Sequence, residues 1–365
     1  MPRASLNIQQ PFSEGVMIHE LVILIEDIPA ENLNAGDAGT VIGAHPGGGS
    51  FDVEFFSPDG ETSRIVTVAA AHLALHEESR AGSTAAARGS GARRRQVEAN
   101  GITVHYELSG AEEAPVVMLC HSLGATLDMW DAQMGPLTQR YGVLRYDLRG
   151  HGGTDAPSAP YTFDMLADDA LALLEVLGIH SCHFVGLSLG GMIGQALALR
   201  KAQPLVSLAL CATSSRIAPE AQPIWDDRIN TAQSQGMPAI APATLDRWLS
   251  QDFQQRTPEE AQRIRNMIEA TPVAGFVGCA QAIRNLNFTE RLKDIDLPTL
   301  VLVGKDDPST PVAASEVIQR EIKGATLVVL DRAMHLCNIE QAQDFNNSLL
   351  EFLDKLEPGH HYAGH

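Results

Sequence analysis

The pattern of apolar and polar positions changes character along this chain. Up to about residue 78 it reads as short strands broken by turn residues. "HELVILIEDI" is a strand-like run, and "NLNAGDAGTVIGAHPGGGSFDVEFFSPDGET" reads as turn, strand, glycine turn, strand, turn. "PDGE" between "FDVEFF" and "SRIVTV" is a hairpin signal. Residues 79–95, "SRAGSTAAARGSGARRR", carry no large apolar side chain and predict a flexible linker. The arginines at 93–95 could form an anion patch, but a solvated linker accounts for them.

After the linker, strands alternate with helices. "ITVHYEL" predicts an early antiparallel strand. "APVVMLCHS", "YGVLRYD", "CHFVGL", "LVSLALCAT", "PTLVLVG" and "ATLVVLD" are buried strands. "FDMLADDALALLEVLGI", "GGMIGQALALR" and "IEQAQDFNNSLLEFLDKL" have helical spacing. Repeated β-α pairs predict a mostly parallel sheet with helices on both faces. Residues 213–292 interrupt this alternation with helical patterns, as an inserted lid would. The expected organisation is a small all-β domain over 1–78, a linker over 79–95, an α/β domain over 96–356 and a polar tail over 357–365.

Composition narrows the function classes. The 365 residues are 44% hydrophobic and 19% charged, as in globular proteins, with a net charge of −19. That acidity argues against nucleic acids and anionic membranes as partners. It is marked up to residue 78, where twelve Asp and Glu face only Arg3 and Arg64. RNA binding, a common use of small barrels, is therefore not expected there. The opening segment has no apolar core of signal-peptide length, and "LVILIEDIP" is too short to span a bilayer. Cys120, Cys182, Cys211, Cys279 and Cys337 show no paired or metal-ligand spacing. Free buried thiols in a reducing cytoplasm are expected.

The chemistry centres on "CHFVGLSLGGMIGQALAL", residues 182–199. Gly186-x-Ser188-x-Gly190 follows a strand and opens a helix, the context of a nucleophile elbow. Small neighbours let the chain turn sharply and expose the hydroxyl, and the Leu189 amide can face an oxyanion. Alone, such a motif also arises as a glycine turn with an incidental serine. An acid and a histidine should follow, each after a late strand. "PTLVLVGKDDPSTP" presents Asp306 and Asp307. The acid three residues beyond the strand-ending Gly304 is Asp307, with Asp306 the fallback. "ATLVVLDRAMHLCNIEQ" presents His335. Asp307 would orient His335, and His335 would accept the Ser188 proton. The loop "LCHSLGATLDMW" offers the Leu123 amide as a second oxyanion donor, with His121 and Ser122 shaping the loop. His151 in "DLRGHGGTD" reads as a loop brace. No metal or other cofactor is expected, and His360, His361 and His365 belong to a polar tail.

On these motifs the region 96–356 resembles the α/β-hydrolase superfamily. Within it, "HSLGATLDMWDAQMGPL", "YDLRGHGGTDAP", "GLSLGGMIGQALAL", "IWDDRINTAQSQGM", "RWL", "ATPVAGFVGCAQAIRNLN" and "HLCNIEQ" resemble the 3-oxoadipate enol-lactonases. The chain departs from them in reading "HSLG" where they carry "NSLG", and in its N-terminal domain. That domain resembles a small uncharacterised bacterial family of SH3-like barrels with an "LxEDIP…L…GxxGTVI…F.VEF…DGET" layout. The resemblance implies hydrolysis of 3-oxoadipate enol-lactone to 3-oxoadipate, in the β-ketoadipate route of aromatic breakdown. Such a substrate carries a carboxylate, so a cation is expected beside it: Arg149, Arg247 or Arg284. Trp130, Trp225 and Trp248 are candidate pocket walls. Rival readings are a carboxylesterase, another lactonase or a C–C hydrolase with the same triad, and a ligand receptor on a hydrolase fold.

Overall fold

The structure, a computed structural model, describes residues 21–31, 33–35, 37–45, 49–56, 63–75, 94–111 and 113–357. The chain divides into two compact units, with the division at residues 86 and 87. The hairpin turn expected at 58–61, the linker up to residue 93 and the tail from 358 lie outside the described residues.

The first unit holds β1 (Leu21–Leu24), β2 (Ala38–Ala44), β3 (Ser50–Phe56), β4 (Ser63–Ala69) and β5 (Leu73–Leu75). They form one antiparallel sheet in the order β4-β3-β2-β1-β5. Side chains alternate across a strand, so Phe51, Val53 and Phe55 share a face, as do Val66 and Val68. These join Val22, Leu24 and Val41 in an apolar cluster of the unit's own.

The second unit is a mixed sheet in the order β13-β12-β11-β10-β8-β9-β7-β6. It begins with β6 (Arg94–Ala99), β7 (Ile102–Ser109), β8 (Val116–Cys120), α1 (Asp131–Thr138) and β9 (Gly142–Tyr146). It continues with α2 (Phe163–Val176), β10 (Cys182–Leu187), α3 (Leu189–Leu199) and β11 (Leu205–Cys211). Five helices follow: α4 (Gln222–Gln235), α5 (Met237–Trp248), α6 (Gln251–Arg256), α7 (Pro258–Ala270) and α8 (Val273–Arg284). The chain closes with β12 (Thr299–Gly304), α9 (Val312–Glu321), β13 (Thr326–Leu330), α10 (Cys337–Glu340) and α11 (Ala342–Leu356).

Only β6 and β7 run antiparallel to their neighbours. β8, β9, β10 and β12 are buried along their whole length, which is why they read as unbroken apolar runs. β6 starts at Arg94, inside the segment expected as linker. Its charged residues form a half-exposed edge strand, with Arg94 opposite Glu107 and paired with Asp128. The helices α4–α8 occupy the expected insertion between β11 and β12. All five cysteines are buried and free. Among the described residues, no helix is long and apolar enough to cross a membrane.

Candidate active site

β10, β12 and β13 run parallel, and each delivers one candidate residue at the same carboxyl edge of the sheet. Ser188 comes first, one residue beyond β10. Its backbone has φ 57° and ψ −112°, a conformation that a residue with a β-carbon adopts only under strain. The surroundings enforce it. The Ser188 amide donates to the Cys211 carbonyl at 2.8 Å, and the Ser188 carbonyl accepts from the Thr213 hydroxyl at 2.7 Å. The glycines are needed for space. A β-carbon on Gly190 would lie 2.1 Å from the Cys120 carbonyl oxygen, and one on Gly186 would lie 2.3 Å from the Gly190 carbonyl. Leu189 opens α3, so its amide is one of the first-turn donors that lack an intrahelical acceptor.

Asp307 lies in the turn after β12 and is 3% exposed. Its Oδ2 accepts from His335 Nδ1 at 2.9 Å and from the Thr310 hydroxyl at 2.7 Å. Its Oδ1 accepts from the Ser309 amide at 2.7 Å and the Thr310 amide at 3.1 Å. Burial pushes the Asp307 carboxyl up, but His335 and the Thr310 donors outweigh it and hold it below the usual carboxylate range. Asp306 points to solvent, and its amide bonds the Ala333 carbonyl instead. His335 is 2% exposed, with its ring 6.3 Å from that of Trp248. No hydrogen bond joins Ser188 Oγ to His335 among the described residues; such bonds commonly tighten only around substrate.

Two further histidines fix the loop that carries Leu123. His121 Nε2 accepts from the Leu148 amide at 2.9 Å, so Nδ1 carries the proton and donates to the Ser122 carbonyl at 2.7 Å. His151 Nε2 accepts from the Gly124 amide at 3.0 Å, and its Nδ1 donates to the Arg149 carbonyl at 3.1 Å. Both rings are therefore neutral. Burial lowers His121, and burial with the neighbouring His121 pushes His151 down to about 3.

The loop of His335 is tied to the helical insertion between β11 and β12. The Leu336 amide donates to the Trp248 carbonyl at 3.1 Å. Glu340 accepts from the amides of both Met334 and Ser250. Ser250 caps α6. Trp248 thus lies beside His335, and its ring reaches 3.9 Å from where a β-carbon on Gly124 would sit. Neither Glu340 nor Thr310 was apparent from sequence spacing, although Glu340 stands in the "HLCNIEQ" segment.

The other candidates separate by their partners. Arg149 holds Asp169 with two nitrogens, one of them Nε at 2.7 Å, and Arg284 holds Asp226 likewise, with Nη2 at 3.0 Å. Their guanidinium groups already carry a carboxylate. Arg247 bonds only the Thr244 hydroxyl, at 3.2 Å. Trp130 is fully buried against Phe345, a core position, whereas Trp225 is partly buried on α4. Arg228, one turn on from Trp225, was not singled out from sequence. Its guanidinium lies 4.4 Å from the Trp225 ring, and the Trp-x-x-Arg spacing that puts both on one helix face was the available signal. Among the described residues, no group of three His, Cys, Asp or Glu is placed to hold a metal.

Such an arrangement can run nucleophilic acyl transfer, and the likenesses to known proteins agree with it. Residues 18–75 match a domain of unknown function (DUF4926). The 3-oxoadipate enol-lactonase 2 of Acinetobacter baylyi is 33% identical over 69% of this chain and 93% of its own length. The crystal structure of the enol-lactonase from Burkholderia xenovorans is 37% identical, with a TM-score of 0.69 over 71% of this chain and 99% of that one. A thermophilic esterase from Thermogutta terrifontis is 29% identical, with a TM-score of 0.68 over 72% of this chain and 99% of that one. Residues 115–342, from the first parallel strand to the helix after His335, match the family described as alpha/beta hydrolase fold, and the chain belongs to that family.

Proposed function

We propose that this protein is a serine hydrolase that opens a lactone ring, with 3-oxoadipate enol-lactone as substrate and 3-oxoadipate as product, in aromatic breakdown. The observation that carries the reading is the buried Asp307–His335 pair at the sheet edge where the strained Ser188 stands. The likeness to two enol-lactonases over most of the second unit supports the substrate.

In this reading Ser188 Oγ attacks the ring carbonyl carbon while His335 Nε2 takes its proton. Asp307 keeps the proton on His335 Nδ1 and stabilises the imidazolium. The amides of Leu189 and Leu123 receive the oxyanion. Collapse expels the enolate, which takes the proton back and becomes a ketone. A water deprotonated by His335 then attacks the acyl-serine, and the free acid leaves. No metal or cofactor enters. The N-terminal sheet serves as an SH3-like binding module outside this chemistry. Its order, with β5 returning beside β1, supports that assignment.

The likeness to an esterase favours a second reading, simple ester hydrolysis by the same residues. Turnover of the enol-lactone measured beside a panel of acyl esters separates the two. Ser188→Ala should lower every such activity by about 10⁴-fold or more, because triad members act as a unit. Activity retained by that variant would sink the assignment.

A further inference from the structure

Six arginines lie on the lid helices α4–α8. Four hold carboxylates: Arg256 with Asp252, Arg263 with Glu260, Arg265 with Glu269 and Arg284 with Asp226. Arg228 on α4 and Arg247 on α5 do not. Among the described residues neither has a carboxylate at ion-pair distance. Arg228 Nε is buried without a hydrogen-bond partner. Its guanidinium faces the rings of Trp225 at 4.4 Å and Phe276 at 5.8 Å, and its charged neighbour is Arg247. Burial and the nearby Arg247 push Arg228 down to about 9, and burial lowers Arg247 as well.

This is an expensive arrangement in a protein with 45 acidic residues against 26 basic ones. A desolvated cation without a counter-charge costs free energy, and a second one beside it adds repulsion. One anion held between the two would remove both costs. A guanidinium fork matches a carboxylate bidentately, and aromatic faces beside it exclude competing water. Arg247 directly precedes Trp248, whose ring lies 6.3 Å from that of His335, so the end of α5 that carries it borders the catalytic histidine of the proposed reaction.

We infer that Arg228 and Arg247 together bind the free carboxylate of the substrate, which makes the enzyme selective for lactones and esters that carry a second, ionised acid group. The inference rests on the hydrolase reading and deepens it. Arg149 and Arg284, equivalent to Arg247 by sequence, are excluded because each is already paired.

The test uses the full-length Ser188→Ala protein, with adipate, a dicarboxylate of the product's length, and neutral adipamide as probes in calorimetric titrations. Adipate should bind, adipamide far more weakly. Adding Arg228→Met or Arg247→Met should weaken adipate binding on the order of 100-fold, as loss of a charge-assisted bidentate contact does. Arg228→Lys should restore part of that loss. With Ser188 present, the ratio of kcat/KM for the carboxylated lactone over a neutral ester should fall by a similar factor. Equal binding of both probes, no binding of adipate, or adipate binding unchanged by the substitutions would overturn the inference. So would a methionine variant that slows both substrates alike with an unchanged ratio, since that marks a packing role. Should Ser188→Ala keep its turnover, the hydrolase reading falls, while the titrations still judge the arginine pair.

Discussion

Replacing Asp307 by asparagine puts one amide group where two acceptor oxygens stood, and the structure dictates which way it turns. Oδ1 accepts from two backbone amides, those of Ser309 and Thr310. An NH₂ group on that side would face two donors and leave them unsatisfied, at about 1–3 kcal/mol each. Oδ2 accepts from the Thr310 hydroxyl, which can rotate to accept instead, and from His335 Nδ1. The NH₂ group therefore takes the Oδ2 position and donates to His335. That forces the histidine proton onto Nε2, so the base that the proposed mechanism sets against Ser188 is lost. The expected fall in kcat is about 10⁴-fold, the known scale for a triad held in the wrong tautomer. It corresponds to ~5–6 kcal/mol of barrier. Asp306→Asn, at an exposed side chain, should cost less than about twofold. Hydrolysis of p-nitrophenyl acetate by both variants, with melting temperatures as folding controls, checks this. An active Asp307→Asn variant beside a crippled Asp306→Asn variant would refute the reasoning and move the acid by one residue.

Gly190→Ala should leave little soluble active protein, since its β-carbon would overlap the Cys120 carbonyl at 2.1 Å and neither backbone can yield; near-normal activity would contradict the close approach at the elbow. For His151, an unfolded chain takes up a proton near pH 6.5, whereas the folded protein resists it down to about 3. Unfolding thus binds a proton between those values. Stability is complete above pH 6.5 and declines as pH falls below it, by about 1.4 kcal/mol per unit. Urea unfolding across that window should show a shallower pH slope for His151→Gln, and an unchanged slope would mean that His151 is protonated in the fold.

How much could be read from the residues alone depended on whether the signal was local. Ser188, Asp307 and His335 each follow an apolar strand and a turn, so chain order and spacing sufficed to nominate them. Asp307 over Asp306 was also a local matter, because the usual layout puts the acid three residues beyond the strand-ending glycine, here Gly304. The arginines were different. Arg149, Arg247 and Arg284 look alike in sequence, and what separates them is the carboxylate each does or does not hold across the fold. Arg228 was missed for the same reason: its mark is the absence of a partner. β6 escaped because a charged edge strand lacks an apolar run and adjoined a segment rich in arginine. Glu340 lies six residues from the amide of Met334 and 90 from that of Ser250, a separation no periodicity reveals.

That carboxylate has an evolutionary consequence. Because Glu340 clasps the amides of Met334 and Ser250 together, the α5–α6 corner of the lid and the His335 turn form one cooperative patch. Their amides should exchange with deuterium at a common rate. A lineage drifting toward new substrates cannot reshape that corner without disturbing the turn that carries His335. It remains free to redraw α4, whose residues take no part in the clasp. Of the two lid arginines without a carboxylate, Arg228 on α4 lies outside the clasp and Arg247 stands next to it, so substitutions around the first can accumulate while the His335 turn stays intact.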